Sequence, residues 1–333
     1  METRVSNQED LEAIKDFRLH LTKELGKETI QNLNRENKTL DIIVPLLYLG
    51  YCFFGFFYLG TQEISIFWLF LFFLQGFALQ SLGLILHDVF VHRRSWGKLN
   101  YFGRIIFSAP IFLSPSNYQL AHIYHHKKIG TLEDPEGYKQ DLNTTWKRFL
   151  FLSMPGFMLT VNRFFSNDET KKWSEHTNFY EIAKKSKNPT LMRKVKLENN
   201  GLALFVATLL ILAVFFPRQI FLGHLLPFFI GIPIAANLRI ILEHAELNPN
   251  NPIHLATNYK TGPISQVLFF WDSGDCHLIH HLFPNIPFYN IPKAIRLINP
   301  YLLEAGVPSR SSLFLLIKDW YTSSYEHRSL WYK

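Results

Sequence analysis

Four apolar stretches constrain this chain more than any other feature. A bilayer core of about 30 Å takes ~20 mostly apolar helical residues to cross, and in lipid only a helix or a closed barrel satisfies all of its own backbone polar groups. Residues 42–60 (IIVPLLYLGYCFFGFFYLG), 64–86 (ISIFWLFLFFLQGFALQSLGLIL), 201–217 (GLALFVATLLILAVFFP) and 220–241 (IFLGHLLPFFIGIPIAANLRII) meet or nearly meet that length. With 48% hydrophobic and 16% aromatic residues in 333, the chain is too apolar for two ordinary soluble domains and reads as one all-α integral membrane domain over 1–333. Two shorter runs fall below spanning length. Residues 101–113 carry Arg104, and 149–162 are broken by Pro155-Gly156; both read as interfacial or re-entrant pieces.

The charges give this layout an orientation. Of the 34 Lys and Arg, 7 precede the first span, 18 lie between spans two and three, 8 lie from Arg239 onward, and 1, Arg218, falls in the short loops. The positive-inside rule then places both termini and the large central loop in the cytosol, so the four spans form two hairpins. Residues 1–40 are polar and lack a signal-peptide core, and they read as a cytosolic N-terminal segment. Residues 87–200 and 242–333 read as a cytosolic helical cap. The net charge of +7 is scattered beside apolar spans, which suits a membrane surface, and no recognition module points to nucleic acid. Cys52 and Cys276 show no framework spacing and predict no disulfide scaffold.

Within this apolar chain histidine is clustered. HDVFVH holds His87 and His92, HIYHH holds His122, His125 and His126, and HLIHH holds His277, His280 and His281. Spans two and four end just before His87 and His244, so the clusters and His244 are expected on one membrane face. At i, i+3 and i+4, the rings of each H-x-x-H-H cluster share one face of a helix. His87 and His92, five apart, sit roughly 140° apart on an ideal helix, which predicts either a distorted helix end or two different ions. Nine neutral imidazoles overfill one first-row metal ion, which takes roughly four to six donors, and suit two. Asp88, Glu243, Asp272 and Asp275 are candidates to balance charge and orient the rings. The isolated His20, His176, His224 and His327 read as ordinary solvated or packed rings, as does His254, for which a ligand or substrate contact is the alternative.

These three boxes, in this order and with a hairpin between the last two, resemble those of the membrane fatty acid desaturase and hydroxylase superfamily. HHLFPNIPFYNIP and LRIILEHAE resemble the segments after the last box and around an extra histidine. The similarity covers roughly 42–300. It implies a non-haem di-iron (Fe2+) centre held by the eight box histidines with His244 as ninth, dioxygen as co-substrate, and two electrons from a separate carrier. That carrier would be of ferredoxin, rubredoxin or cytochrome b5 type, since no His-Pro-Gly-Gly stretch marks a fused cytochrome b5. Some members place an asparagine four residues before the extra histidine; here Ile240 stands there.

The activity implied is desaturation of a lipid acyl chain. The protein would position one methylene and exclude water, with Phe77 and Leu84 candidates to line an apolar tunnel. Hydroxylation or ketolation of a lipid or carotenoid is the alternative. A non-enzymatic membrane metal protein or transporter is the remote one, because ionisable residues gather at one face rather than at mid-bilayer. The charge-rich stretch 165–199 reads as a solvated loop or as a site for a headgroup or the electron donor. IPKAIRLINPYLLEAG and SSLFLLIKDWY predict short membrane-surface helices punctuated by Pro287, Pro292 and Pro300.

Overall fold

A computed structural model describes residues 8–129, 189–244, 248, 250–258, 262–268, 277–309 and 313–322, and every regular element among them is helical. The order is α1 (Gln8–Leu25), α2 (Lys27–Leu33), α3 (Lys38–Thr61), α4 (Ile66–Ile85), α5 (Asn100–Ser108), α6 (Pro115–Lys128), α7 (Pro189–Phe215), α8 (Pro217–Ile220), α9 (Ile232–His244), α10 (Pro263–Leu268), α11 (His277–Leu282), α12 (Ile291–Glu304) and α13 (Leu313–Thr322). Among the described residues, four helical stretches are long and apolar enough to cross a membrane: Lys27–Thr61, Ile66–His92, Met192–Phe215 and Pro217–His244. Each coincides with one of the apolar stretches read from the sequence. At 9 residues, α5 reaches only about 13 Å and cannot cross. The run 149–162 lies outside the described residues.

Chain contacts resolve two compact units, Lys38–Ile123 with Phe151–Asn237, and Met1–Asn37 with Tyr124–Leu150 and Leu238–Lys333. In the first, Ser65 caps α4 by accepting from the Trp68 amide at 3.1 Å. The Trp68 indole donates to the Leu59 carbonyl of α3 at 2.9 Å, and both residues pack with Phe72. Lipid supplies no hydrophobic drive between helices, so close approach and polar contacts must hold them together. Both occur here. Gly76 and Gly231 meet backbone to backbone, so that a Cβ on Gly76 would strike Gly231. The Gln75 amide donates to the carbonyls of Cys52 at 2.9 Å and Gly223 at 3.3 Å, tying α4 to two other helical segments. Outward, Phe53, Phe54, Leu204 and Val214 stay exposed, the face expected toward hydrocarbon.

Arg104, the charge that interrupts the run 101–113, is buried and fully engaged. It donates to Glu198 of α7 at 3.1 Å, to the Gln119 carbonyl oxygen at 2.8 Å and to the Ser116 hydroxyl at 3.3 Å. Glu198 also accepts from the Ser116 amide at 2.9 Å. This network fixes the first turn of α6, the helix that carries HIYHH.

The second unit has its own core. Leu21 of α1, Leu33 of α2, Leu278, Ile279 and Leu282 of α11, and Ala294, Ile295, Ile298 and Leu302 of α12 pack into one cluster. The Asn290 amide, at the entry to α12, donates to the Leu33 carbonyl at 2.8 Å. Pro292 occupies the first turn of α12, where its missing N–H costs nothing. Pro300 does not punctuate as expected but lies inside α12, whose buried face continues past it from Ala294 to Leu302. Packing along that face outweighs the lost backbone hydrogen bond.

Candidate metal centre

In the unit of α3 and α4, α4 runs into a π-helical turn, Leu86–His92. Such a turn bonds i to i+5 and so brings residues five apart onto one side. The rings of His87 and His92 stand 4.6 Å apart, with their Nε2 atoms at 3.1 Å. The distorted helix end expected from the spacing is this π-turn, and the pair gives no reason to assign the two rings to different ions. His122 of α6 completes a triplet, its Nε2 at 2.8 Å from that of His87. Tyr118, one turn earlier, stacks on the His122 ring at 5.7 Å and 18°.

Arg93 follows the triplet directly. Its guanidinium donates to Asp41 at 2.7 Å and to Asp88 at 2.5 Å, all three side chains being at most 2% exposed. Burial opposes the charge on Arg93, but the two carboxylates outweigh it and raise its pKa further. Asp88 therefore acts on the structure through Arg93, holding the end of the π-turn to the first turn of α3.

In the other unit, α6 contributes His125, α9 ends on His244, and α11 supplies His277 and His281. One ring nitrogen from each of the four lies within 4.8 Å of the rest. The i, i+3, i+4 spacing of α11 explains its share. His277, His280 and His281 occupy one face, while Leu278, Ile279 and Leu282 turn into the core. His277 and His281 approach at 3.1 Å between Nε2 atoms, as do His126 and His280.

Neighbouring groups set the ring orientations. His244 Nδ1 lies 3.3 Å from the Leu255 carbonyl, which can only accept, so this nitrogen carries the proton and Nε2 keeps its lone pair. Glu243 stands 3.5 Å from His277 Nδ1 and accepts from Arg239 at 2.6 Å. Thr257 joins the two histidine-bearing helices: its amide donates to the Glu243 carbonyl at 2.8 Å, its hydroxyl bonds the Leu242 carbonyl, and its own carbonyl accepts from Leu278 at 3.1 Å. His281 is held neutral, its pKa pushed well below the usual 6.5 by burial and then by the surrounding His126, His277, His125 and His244.

These features fit metal. Two nitrogens bound at right angles to one ion at roughly 2.1 Å stand about 3 Å apart, and the four Nε2 pairs lie between 2.8 and 3.1 Å. Neutral ligand nitrogens gathered without thiolate suit iron, copper, zinc or nickel rather than calcium or magnesium.

Of the candidates for charge balance, Glu243 lies against a clustered ring, Asp88 is taken up by Arg93, and Asp272 and Asp275 fall outside the described residues. His254 accepts from the Asn248 amide at 3.0 Å through Nδ1, which ties down its own loop. Tyr118, Thr257 and the Arg93 clamp were not read from the sequence. Only Tyr118 left a signal there, its i, i+4 spacing to His122.

Described residues that are helical wherever regular, four apolar spanning-length helices among them and clustered imidazoles able to hold metal point to a class, the histidine-rich membrane proteins. The family comparison narrows it. The sequence model of the fatty acid desaturase family matches residues 64–312, and the chain belongs to that family. Comparison with curated proteins finds no significant match.

Proposed function

We propose that the protein is a dioxygen-dependent di-iron desaturase that introduces a carbon–carbon double bond into a lipid acyl chain. Family membership supports this, and the convergence of His125, His244, His277 and His281 is the observation that carries it. These four are assigned to one iron. His87, His92 and His122 are assigned to the second iron, and His126 and His280 are further proposed ligands. Bound there, the irons would supply dioxygen activation.

The rest belongs to the chain. The Leu255 carbonyl fixes the His244 tautomer so that its Nε2 lone pair is free, the Glu243 carboxylate favours the matching tautomer of His277, and the Arg93 clamp keeps the π-turn closed. Apolar walls bring the acyl chain to the site and exclude water from it. Two hydrogens from adjacent carbons, with two electrons and two protons, reduce dioxygen to two waters. A separate ferredoxin, rubredoxin or cytochrome b5 type donor supplies the electrons. The chain works as one functional domain over 1–333, its spans in two hairpins and its termini and histidines cytosolic, as the distribution of its 34 Lys and Arg supports.

Expression in a host of known lipid composition, with mass spectrometry of total lipids against an empty vector and His281→Ala, tests the reading. The expected product is lighter than its parent by two hydrogens and disappears in His281→Ala. A product heavier by one oxygen would replace desaturation with hydroxylation.

A further inference from the structure

The sequence leaves His224 among ordinary rings, but its surroundings do not. It belongs to a π-helical turn, Phe221–Leu225, within the fourth span. The side chain is buried, 5% exposed, among the rings of Phe112 at 5.8 Å and Phe205 at 6.1 Å. Its Nε2 has no hydrogen-bond partner among the described residues. A buried polar atom left unpaired costs roughly 1–3 kcal/mol, and an ionisable side chain inside a membrane span is there for a reason more often than not. π-Turns also concentrate at functional sites.

His224 lines a cavity of about 530 Å3, a volume within the rough 300–1,000 Å3 of ligand pockets. Leu49, Cys52 and Phe56 of α3, Leu79 of α4, and Leu204 and Phe205 of α7 form much of its wall. All belong to the same unit as His224. Leu204 is 70% exposed, so the cavity opens on the face that hydrocarbon covers. The surrounding medium therefore makes the occupant a lipid.

The wall and the ring together narrow its chemistry. A carboxylate or phosphate would bring charge into an apolar wall at a cost of several kcal/mol. Either neutral tautomer of His224 leaves Nε2 a donor or an acceptor, and a hydroxyl, small, uncharged and both donor and acceptor, answers either. We propose that this cavity is a binding site for a lipid bearing a single hydroxyl group. The apolar chain lies along α3 and α7, and the hydroxyl is bonded to His224 Nε2. The site draws on none of the clustered histidines and stands or falls separately from the metal chemistry.

Binding of tritiated 1-hexadecanol to the full-length protein in phosphatidylcholine nanodiscs tests it. Saturable binding is expected, displaced by unlabelled 1-hexadecanol and about tenfold less well by hexadecane, which fills the cavity but offers no hydroxyl. His224→Phe should weaken binding about tenfold, and His224→Gln, which keeps a donor and an acceptor, should retain it within a few-fold. Leu204→Trp, reached from the lipid face and leaving His224 in place, should block binding by filling the cavity, so the test survives if His224→Phe fails to fold. Equal displacement by hexadecane, undiminished binding by Leu204→Trp or by folded His224→Phe, or no saturable binding would overturn the proposal.

Discussion

Glu243→Gln isolates the orientation of His277 from its presence. The carboxylate lies 3.5 Å from His277 Nδ1 and 2.6 Å from Arg239 Nε, and its side chain is 6% exposed. As a carboxylate it favours a proton on Nδ1 and a free lone pair on Nε2, the nitrogen that faces His281. Glutamine has nearly the same shape but no charge. The same Oε1 faces both Arg239 and His277 Nδ1, so an amide oxygen kept on Arg239 still faces Nδ1, but without the negative charge that favours the proton there and the lone pair on Nε2. Loss of such a carboxylate partner costs roughly 10- to 100-fold in metal affinity. The assay is iron retained by purified protein against graded chelator, with melting in detergent as the control for folding. Glu243→Gln should lose iron at 10- to 100-fold lower chelator than the parent while melting within a few degrees of it. Parental iron retention would refute the assignment of Glu243 as the partner of His277.

Three further outcomes follow from named contacts. Arg93→Leu leaves Asp41 and Asp88 buried without their shared cation and should cost about 3–5 kcal/mol, seen as a large fall in melting temperature; adding Asp41→Leu and Asp88→Leu should recover much of it. Gly76→Leu drives a side chain into the Gly231 backbone and should abolish stable folding of the first unit, read by loss of a monodisperse detergent-solubilised species, whereas Gly50→Leu, with open space around it, should be tolerated. Because the pKa of His281 is depressed in the fold, the folded state binds fewer protons than the unfolded chain below pH 6.5. Metal-free protein should therefore lose stability as pH falls from about 6.5, by up to about 1.4 kcal/mol per pH unit for this ring, and gain nothing above it. Urea unfolding at stepped pH checks the sign.

What the sequence made legible is local in origin. The four spans announce themselves because a bilayer demands ~20 apolar residues in a row, and the H-x-x-H-H boxes because i, i+3, i+4 spacing fixes one helical face without knowledge of the fold. His87 and His92 were ambiguous for the same reason: spacing by five is decided by a π-turn, which no composition rule foretells. Arg104 and Glu198 stand 94 residues apart, and only packing reveals that one neutralises the other. Thr257 escaped notice as one threonine among several, since its role lies in which carbonyls it reaches. Pro300 misled because helix-breaking is a local rule, overridden where a buried face runs through it. His224 reads as ordinary in sequence, and only the apolar cavity beside it gives its unpaired nitrogen meaning.

The central claim is that the clustered histidines hold two irons. Elemental analysis of the protein purified from iron-replete cells, normalised to chain by amino-acid analysis, addresses it most directly. The account predicts close to two irons per chain, with a marked loss in His281→Ala and no change in His20→Ala. A single zinc per chain, or iron indifferent to His281, would contradict it.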